Sequence, residues 1–510
     1  MSSFLLSRRA FVGASATAAV CLSVPRPGFG QSTIGMRLEW QQFRTTPQYA
    51  SFLDAVRKMK ANTNAASPSS WAYWINVHVN YCPHNTAYFL AWHRGYLHYL
   101  EQQLRTVSGD NMLSMPYWNY YKFPRLPAEF TDPTPDNPLY MPRTGTTVYN
   151  ALTLSPFAPG VFNFQRGTTN AFEPQLESAP HNPVHNLIGG EMANMTSPRD
   201  PIFFLHHANI DRLWHAWALP DGKGIPGTSD PYAASTSSPY WAGSHTYASG
   251  LTMARYKTYF PGWLNSAYSD YTQPTVLPLS ARAHPDSPIK LAQAQAASLL
   301  TRPDSATFPA AAARAVSATR RSLGGVFGVV LDEVPVSARL PLAASSLQVL
   351  QDALSVAVRP PPHILPGTFQ SVVVVLDKLL LLGAGAKGGY FYNVYVNLPV
   401  IADAERARGY FLGTVGAFEV AGAGHHGPAR LEYQATEALA QLSAFELQDV
   451  TVSLVRINGE KYPRGAVLKI GEVRIEVSTA PPWDASPRVG RDRVIAKLLR
   501  LPPHPRRVRP

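Results

Sequence analysis

The chain runs to 510 residues, of which 45% are hydrophobic and 15% charged. That is more than a single hydrophobic core organises, so two or more domains are expected. With only two cysteines a disulfide-stapled scaffold is excluded. The formal net charge of +12 is partly local, since residues 488–510 hold eight Lys and Arg against Asp492 in a Pro-containing tail. No aromatic-interleaved basic module accompanies that tail, so it reads as solvated and no nucleic-acid partner is expected.

In chain order, the first feature is Ser7-Arg8-Arg9-Ala10-Phe11-Val12, which resembles the twin-arginine export consensus. A weakly apolar stretch, VGASATAAVCLSV, and small residues near Gly30 follow it. The run is too short to span a bilayer, so residues 1–30 read as a cleavable signal and the mature protein as periplasmic or secreted, with no stable membrane span. Cys21 leaves with the signal. Cys82 is then the one thiol of the mature chain, which cannot close an intramolecular disulfide.

Histidines dominate the next region: nine of the chain's fifteen fall between residues 71 and 217. One trio is His78, His84 and His93, inside WINVHVNYCPHNTAYFLAWHRGYL; the other is His181, His185 and His207, inside LESAPHNPVHNLIGG and SPRDPIFFLHHANIDRLW. Two sets of three imidazoles, with no thiolate or carboxylate set beside them, suit a pair of copper ions. His181 and His185 are four apart and share one face of a helix. His84 and His93 are too far apart for one helical turn, so a bend is predicted between them, with His93 on a helix. Phe89 and Phe203 each sit four residues before a proposed ligand, where they can wedge against its ring. The expected architecture is a four-helix core with metals between facing helices. His206 is read as a neighbour of the ligand set, His98 and His215 as lying off the ligand face, and His425 and His426 as loop residues.

CPHNTAYFLAWHRGYL, and HNPVH followed by DPIFFLHHANIDRLW, resemble the copper A and copper B motifs of the tyrosinase/polyphenol oxidase family of dicopper proteins. The resemblance implies that His78, His84 and His93 bind copper A and that His181, His185 and His207 bind copper B. It also implies dioxygen as co-substrate, held as a bridging peroxide. The short interval from His78 to His84 departs from many members and resembles a bacterial branch. By the same resemblance Cys82, two residues before His84, forms a thioether to that imidazole. Glu177 and Asn182 stand where the family holds a water that takes the phenol proton, which implies o-hydroxylation of monophenols such as L-tyrosine as well as oxidation of L-DOPA and other catechols. Asn194 occupies the gate position, flanked by Met192 and Met195. Asp211 and Arg212 are expected to orient ligand imidazoles.

Beyond an aromatic stretch ending near residue 280, where Tyr268 and Tyr271 are expected to close the catalytic domain (residues 31–280), residues 281–321 are Ala/Pro/Ser-rich and read as a linker. The pattern then turns strand-like. SVVVVLDKLLLL, GGYFYNVYVNLPV, VTVSLVRING and GEVRIEV are β-branched or aromatic runs between Gly, Pro and Asn, which predicts an antiparallel β-sandwich over residues 322–487. These runs resemble the carboxy-terminal domain of plant polyphenol oxidases, which covers the active-site entrance and implies a latent enzyme. Tyr390, Phe391 and Tyr392 form an aromatic cluster there, best read as strand packing. The alternatives left open are a catechol oxidase or o-aminophenol oxidase without monophenolase activity and, more remotely, a hemocyanin-like dioxygen carrier.

Overall fold

The computed structural model describes residues 35–83, 87–168, 170–218, 239–278, 290, 292–295, 297–298, 308–399, 407, 409–424, 427–444, 446–448 and 450–482. The predicted signal, the basic tail, His84, His425 and His426 lie outside the described residues.

The first half is helical. Helix α1 (Gln48–Ala61) leads to α2 (Trp71–Tyr81), whose first turn is capped by the Ser70 hydroxyl accepting from the Ala72 N–H. Helix α3 (Phe89–Ser108) ends where Gly109 takes a left-handed φ of 73°, a conformation glycine adopts without penalty. A short helix α4 (Phe172–Leu176) runs through an irregular turn (Glu177–His181) into α5 (Asn182–Ile188). Helix α6 (Ile202–Ala218) is buried along its whole length, Asp211 and Arg212 included. A buried charge survives only when paired. Asp211 accepts from Arg94 Nε of α3 at 2.6 Å, and Arg37 reaches both Asp211 and Glu101. Tyr268 also donates to Asp211 and accepts from Arg37 Nη1 at 2.8 Å. Arg37 lies on β1 (Gly35–Arg37) and Tyr268 on β4 (Ser266–Tyr268), which pair in parallel, so this network closes the helical unit by joining its two ends. Between them lies a two-stranded hairpin, β2 (Ser244–Ala248) with β3 (Leu251–Ala254).

The second half is a sandwich of two antiparallel sheets. One has the order β11 (Phe411–Gly416), β10 (Tyr390–Val396), β13 (Val450–Asn458), β8 (Val336–Leu340). The other has the order β12 (Ala429–Gln434), β9 (Ser371–Leu381), β14 (Leu468–Ser478), β7 (Arg320–Leu331), with β5 (Ala310–Ala311) and β6 (Arg314–Ser317) on β7. The unbroken run Val372–Val375 belongs to a central strand covered on both faces, which explains its lack of alternation. Helix α7 (Ala344–Val358) packs beside this sheet. The residues read as linker up to 321 include β5, β6 and the first residues of β7. These edge segments pair through main-chain bonds, which Ala and Ser supply as well as any residue, so composition did not reveal them.

After β11 the chain leaves the sandwich as helix α8 (Ala417–Ala423) and lies against α5 of the helical half. Around that contact Gly389 N donates to Asn186 O (2.7 Å), Asn150 Nδ2 to Asn458 O (2.7 Å), and Thr146 N and Oγ1 to Glu460 Oε2 (2.6 and 2.7 Å).

Candidate dicopper site

Four helices bring the histidines together. His78 comes from α2, His93 from α3, His185 from α5 and His207 from α6, while His181 sits at the entry to α5 rather than one full turn down a regular helix. The break is local: Ala179 is extended (φ −161°, ψ 126°) just before Pro180. All five rings are buried.

The hydrogen bonds decide which nitrogen faces inward. His185 Nδ1 lies 2.7 Å from Met192 O, His78 Nδ1 2.9 Å from Met195 O, His93 Nδ1 2.8 Å from Phe89 O, and His181 Nδ1 2.8 Å from Asn182 Oδ1. A carbonyl oxygen only accepts, so each Nδ1 carries the proton and each Nε2 presents a lone pair. His207 Nε2 stands 3.3 Å from His181 Nε2 and 3.4 Å from His185 Nε2. Bare lone pairs converge so closely around a cation, and three imidazole donors match copper. Burial drives the His78 imidazole down to about pH 4. Burial, reinforced by neighbouring imidazoles, holds His93, His181, His185 and His207 well below the ordinary histidine range. Neutral rings are what a metal requires.

The two sets face each other. The rings of His93 and His207 stack at 4.1 Å and 14°. Phe89 touches His93 (4.7 Å) and His181 (4.6 Å), and Phe203 touches His207 (4.2 Å) and His78 (5.0 Å), so each phenylalanine bridges both sets. Cys82 Sγ is 3.5 Å from His93 Nε2, and burial pushes its thiol well up. The proposed thioether partner, His84, lies outside the described residues. His206 stacks on His181 at 5.2 Å, and its ring nitrogens are buried without a hydrogen-bond partner among the described residues. Its donor atoms fall with those of His181, His185 and His207 in one group.

Glu177 is buried and paired with Arg166. Asn182 is buried on His181. Asn194 is exposed, and the adjacent Met192 and Met195 serve the site through their carbonyls. Among the described residues, Asp211 and Arg212 bond none of the proposed ligand imidazoles. The first joins Arg94, Arg37 and Tyr268, and the second donates to Asn209 Oδ1 and Thr272 O, because their side chains point to the β1–β4 side of α6. His98 and His215 stand outside both groups; His215 packs on Phe260 and Tyr271.

The second half contributes a residue that the sequence reading did not single out. Phe418 of α8 stacks on His185 at 4.0 Å and 13°, and meets His181 edge-on at 5.7 Å. Its N–H donates to Asn186 Oδ1 (2.9 Å), while Asn186 Nδ2 donates to Glu419 Oε2 (2.6 Å). Thr414 Oγ1 donates to Glu419 Oε1 (2.7 Å). A Cβ on Gly416 would stand 2.5 Å from the Asn186 amide, so only glycine allows this approach. The one available signal was Asn186 itself, a polar residue following a ligand in a buried helix. Tyr390 and Tyr392 point into the sandwich, with Arg456 over Tyr390 at 4.5 Å, whereas Phe391 packs into the helical core.

Residues 55–154 and 133–219 match the family described as the common central domain of tyrosinase. A tyrosinase of Hahella sp. (strain CCB-MM4) is 35% identical over 212 residues, covering 32% of this chain and 46% of that protein. A chloroplastic polyphenol oxidase of Vitis vinifera is 29% identical over 231 residues, 34% of this chain and 38% of its own length. The chain thus spans less than half the length of either relative. Among solved structures, latent apple tyrosinase covers 90% of this chain and 99% of its own at 20% identity, with a TM-score of 0.48. Residues 55–219, which contain both histidine sets, thus carry the common central domain of tyrosinase.

Proposed function

We propose that this chain is a latent tyrosinase, which o-hydroxylates monophenols and oxidises o-diphenols to o-quinones. The observation that carries the reading is the pair of facing histidine sets, joined by the His93–His207 stack. His78, His84 and His93 would hold one copper ion and His181, His185 and His207 the other. When bound, the copper pair supplies the activation of dioxygen.

The protein's own residues do the rest. The Met192, Met195 and Phe89 carbonyls and the Asn182 amide oxygen fix the ligand rings. A phenol has an ordinary pKa of about 10, so at neutral pH its proton must be taken by a base. Glu177, four residues before His181 and aided by Asn182, would take that role through a water. Asn194, a small polar gate, leaves the approach open to substrates such as L-tyrosine, L-DOPA and other catechols. Phe418 covers one face of His185, which supports latency. A Cys82–His84 thioether would hold one copper A ligand in place. Export by the twin-arginine route rests on Arg8-Arg9 and the apolar run after them; no helix among the described residues is long and apolar enough to cross a membrane.

The test is oxygen uptake by the copper-loaded full chain and its Phe418→Ala variant on L-tyrosine and on a catechol. Uptake on both substrates is expected. Uptake on the catechol alone would replace the reading with catechol oxidase, and uptake on neither would favour a dioxygen carrier.

A further inference from the structure

The carboxylate of Glu177 is held by a side chain from a loop that contains no ligand. Arg166 pairs with Glu177 through Nη2; the arginine side chain is 16% exposed and the glutamate 2%. The loop carrying Arg166 is itself fastened at several points. Phe172 N donates to Asn163 O (2.8 Å) and Glu173 N to Phe164 O (2.9 Å), which closes residues 163–173 into a tight loop. Phe164 stacks on Trp214 (4.9 Å, 13°) and Phe172 on Trp217 (4.4 Å, 13°), both on α6, the helix of His207. Glu173 completes the clamp: its Oε2 accepts from Arg166 N at 3.0 Å and its Oε1 from Leu90 N at 3.2 Å, in the first turn of the helix that carries His93. One buried carboxylate therefore ties the Arg166 loop to α3, and two ring stacks tie it to α6.

We propose that Arg166 is a positioning residue for Glu177, locked in place by Glu173, and that it selects for monophenol hydroxylation. This rests on the reading of Glu177 as proton acceptor given above. The guanidinium engages Glu177 at Oε2 and fixes the direction of the carboxylate. In the step served, the proton leaves the phenol hydroxyl, passes through a water and ends on Glu177; Arg166 stays a guanidinium throughout. A carboxylate free to rotate would meet that proton in fewer orientations, and monophenols, which depend most on the base, would suffer most.

The experiment uses the full-length, copper-loaded chain with R166Q, R166K and E177Q. The readout is the ratio of kcat/KM on a monophenol to kcat/KM on the matching diphenol, with bound copper measured in each. E177Q is expected to lower the ratio by roughly 100-fold and R166Q by about tenfold or more. The double variant should be no lower than E177Q alone, because both act through one group. R166K, which keeps the charge, should recover most of the ratio. If R166Q fails to hold two coppers, R166M takes its place with the same expectation. A wild-type ratio in R166Q or R166M beside a low ratio in E177Q overturns this inference alone. A wild-type ratio in E177Q overturns the role of Glu177 and this inference with it.

Discussion

Phe418→Ala tests the most consequential contact between the two halves of the molecule. The ring is 3% exposed and lies flat on His185 at 4.0 Å. Burying a phenylalanine contributes about 1.5–3 kcal/mol, and a well-placed ring pair adds about 0.5–1.5 kcal/mol. On the latent reading proposed above, roughly 2–4.5 kcal/mol therefore favours the covered site. At about 1.4 kcal/mol per tenfold, it stands open in roughly one molecule in 30 to one in 1,600. Alanine removes the cover without touching a ligand, so diphenol oxidation by the full chain should rise about 30-fold or more at equal copper content. The assay is oxygen uptake with copper measured in the same sample. Phe391→Ala is the control, since that ring is also buried in the helical core yet, among the described residues, stacks on no proposed ligand histidine. It should lower stability by about 3–5 kcal/mol without matching the activation. Equal activity in wild type and Phe418→Ala, or equal activation by both variants, would refute the reasoning.

Three further outcomes follow from the geometry. Burial raises the Glu173 carboxyl to about 7, opposed by the Arg166 and Leu90 N–H groups and assisted by Glu177. A carboxyl raised on folding adds stability below its unfolded value that is lost as pH rises through the folded one. Denaturant midpoints should thus fall between about pH 4.5 and 7 by an amount worth about 3 kcal/mol, and Glu173→Gln should flatten that slope; an unchanged slope would remove Glu173 as its source. Asp211→Ala leaves Arg37 and Arg94 short of a buried counter-charge and should destabilise the helical half by about 3–5 kcal/mol in thermal or chemical unfolding, whereas a loss below about 1 kcal/mol would show the pairs to be dispensable. The copper-matured chain should have an intact mass lower by the two hydrogens lost in a Cys82–His84 thioether, and Cys82→Ser should abolish that difference; a mature chain that still reacts with a thiol reagent at Cys82 would rule the link out.

Much of the histidine cluster was legible because its members sit in short, locally patterned segments. The four-residue step from His181 to His185, and Phe89 and Phe203 each one turn ahead of a ligand, are statements about neighbours in the chain. What escaped was set by distant contacts. Phe418 is one aromatic among many in the strand-rich half, and only the turn from β11 into α8 lays it on His185. Arg166 is eleven residues from its partner across an irregular loop. The acceptors at Met192 and Met195 are main-chain oxygens, to which side-chain patterns are blind. Asp211 misled for a related reason. A carboxylate one turn beyond a ligand on the same helix invites a role at the metal, but the neighbouring Arg94 and Arg37 needed it more.

The two methionine carbonyls have one more implication. Met192 O orients His185, proposed for copper B, and Met195 O orients His78, proposed for copper A, and they lie three residues apart on a single bend of chain. A shift of that bend would swing His185 and His78 at the same moment. Substitutions around Ala193 and Asn194 should therefore disturb both metals in step, giving chains that are fully loaded or empty rather than half-filled. Metal uptake would then be cooperative by way of the backbone, before any copper–copper interaction comes into play.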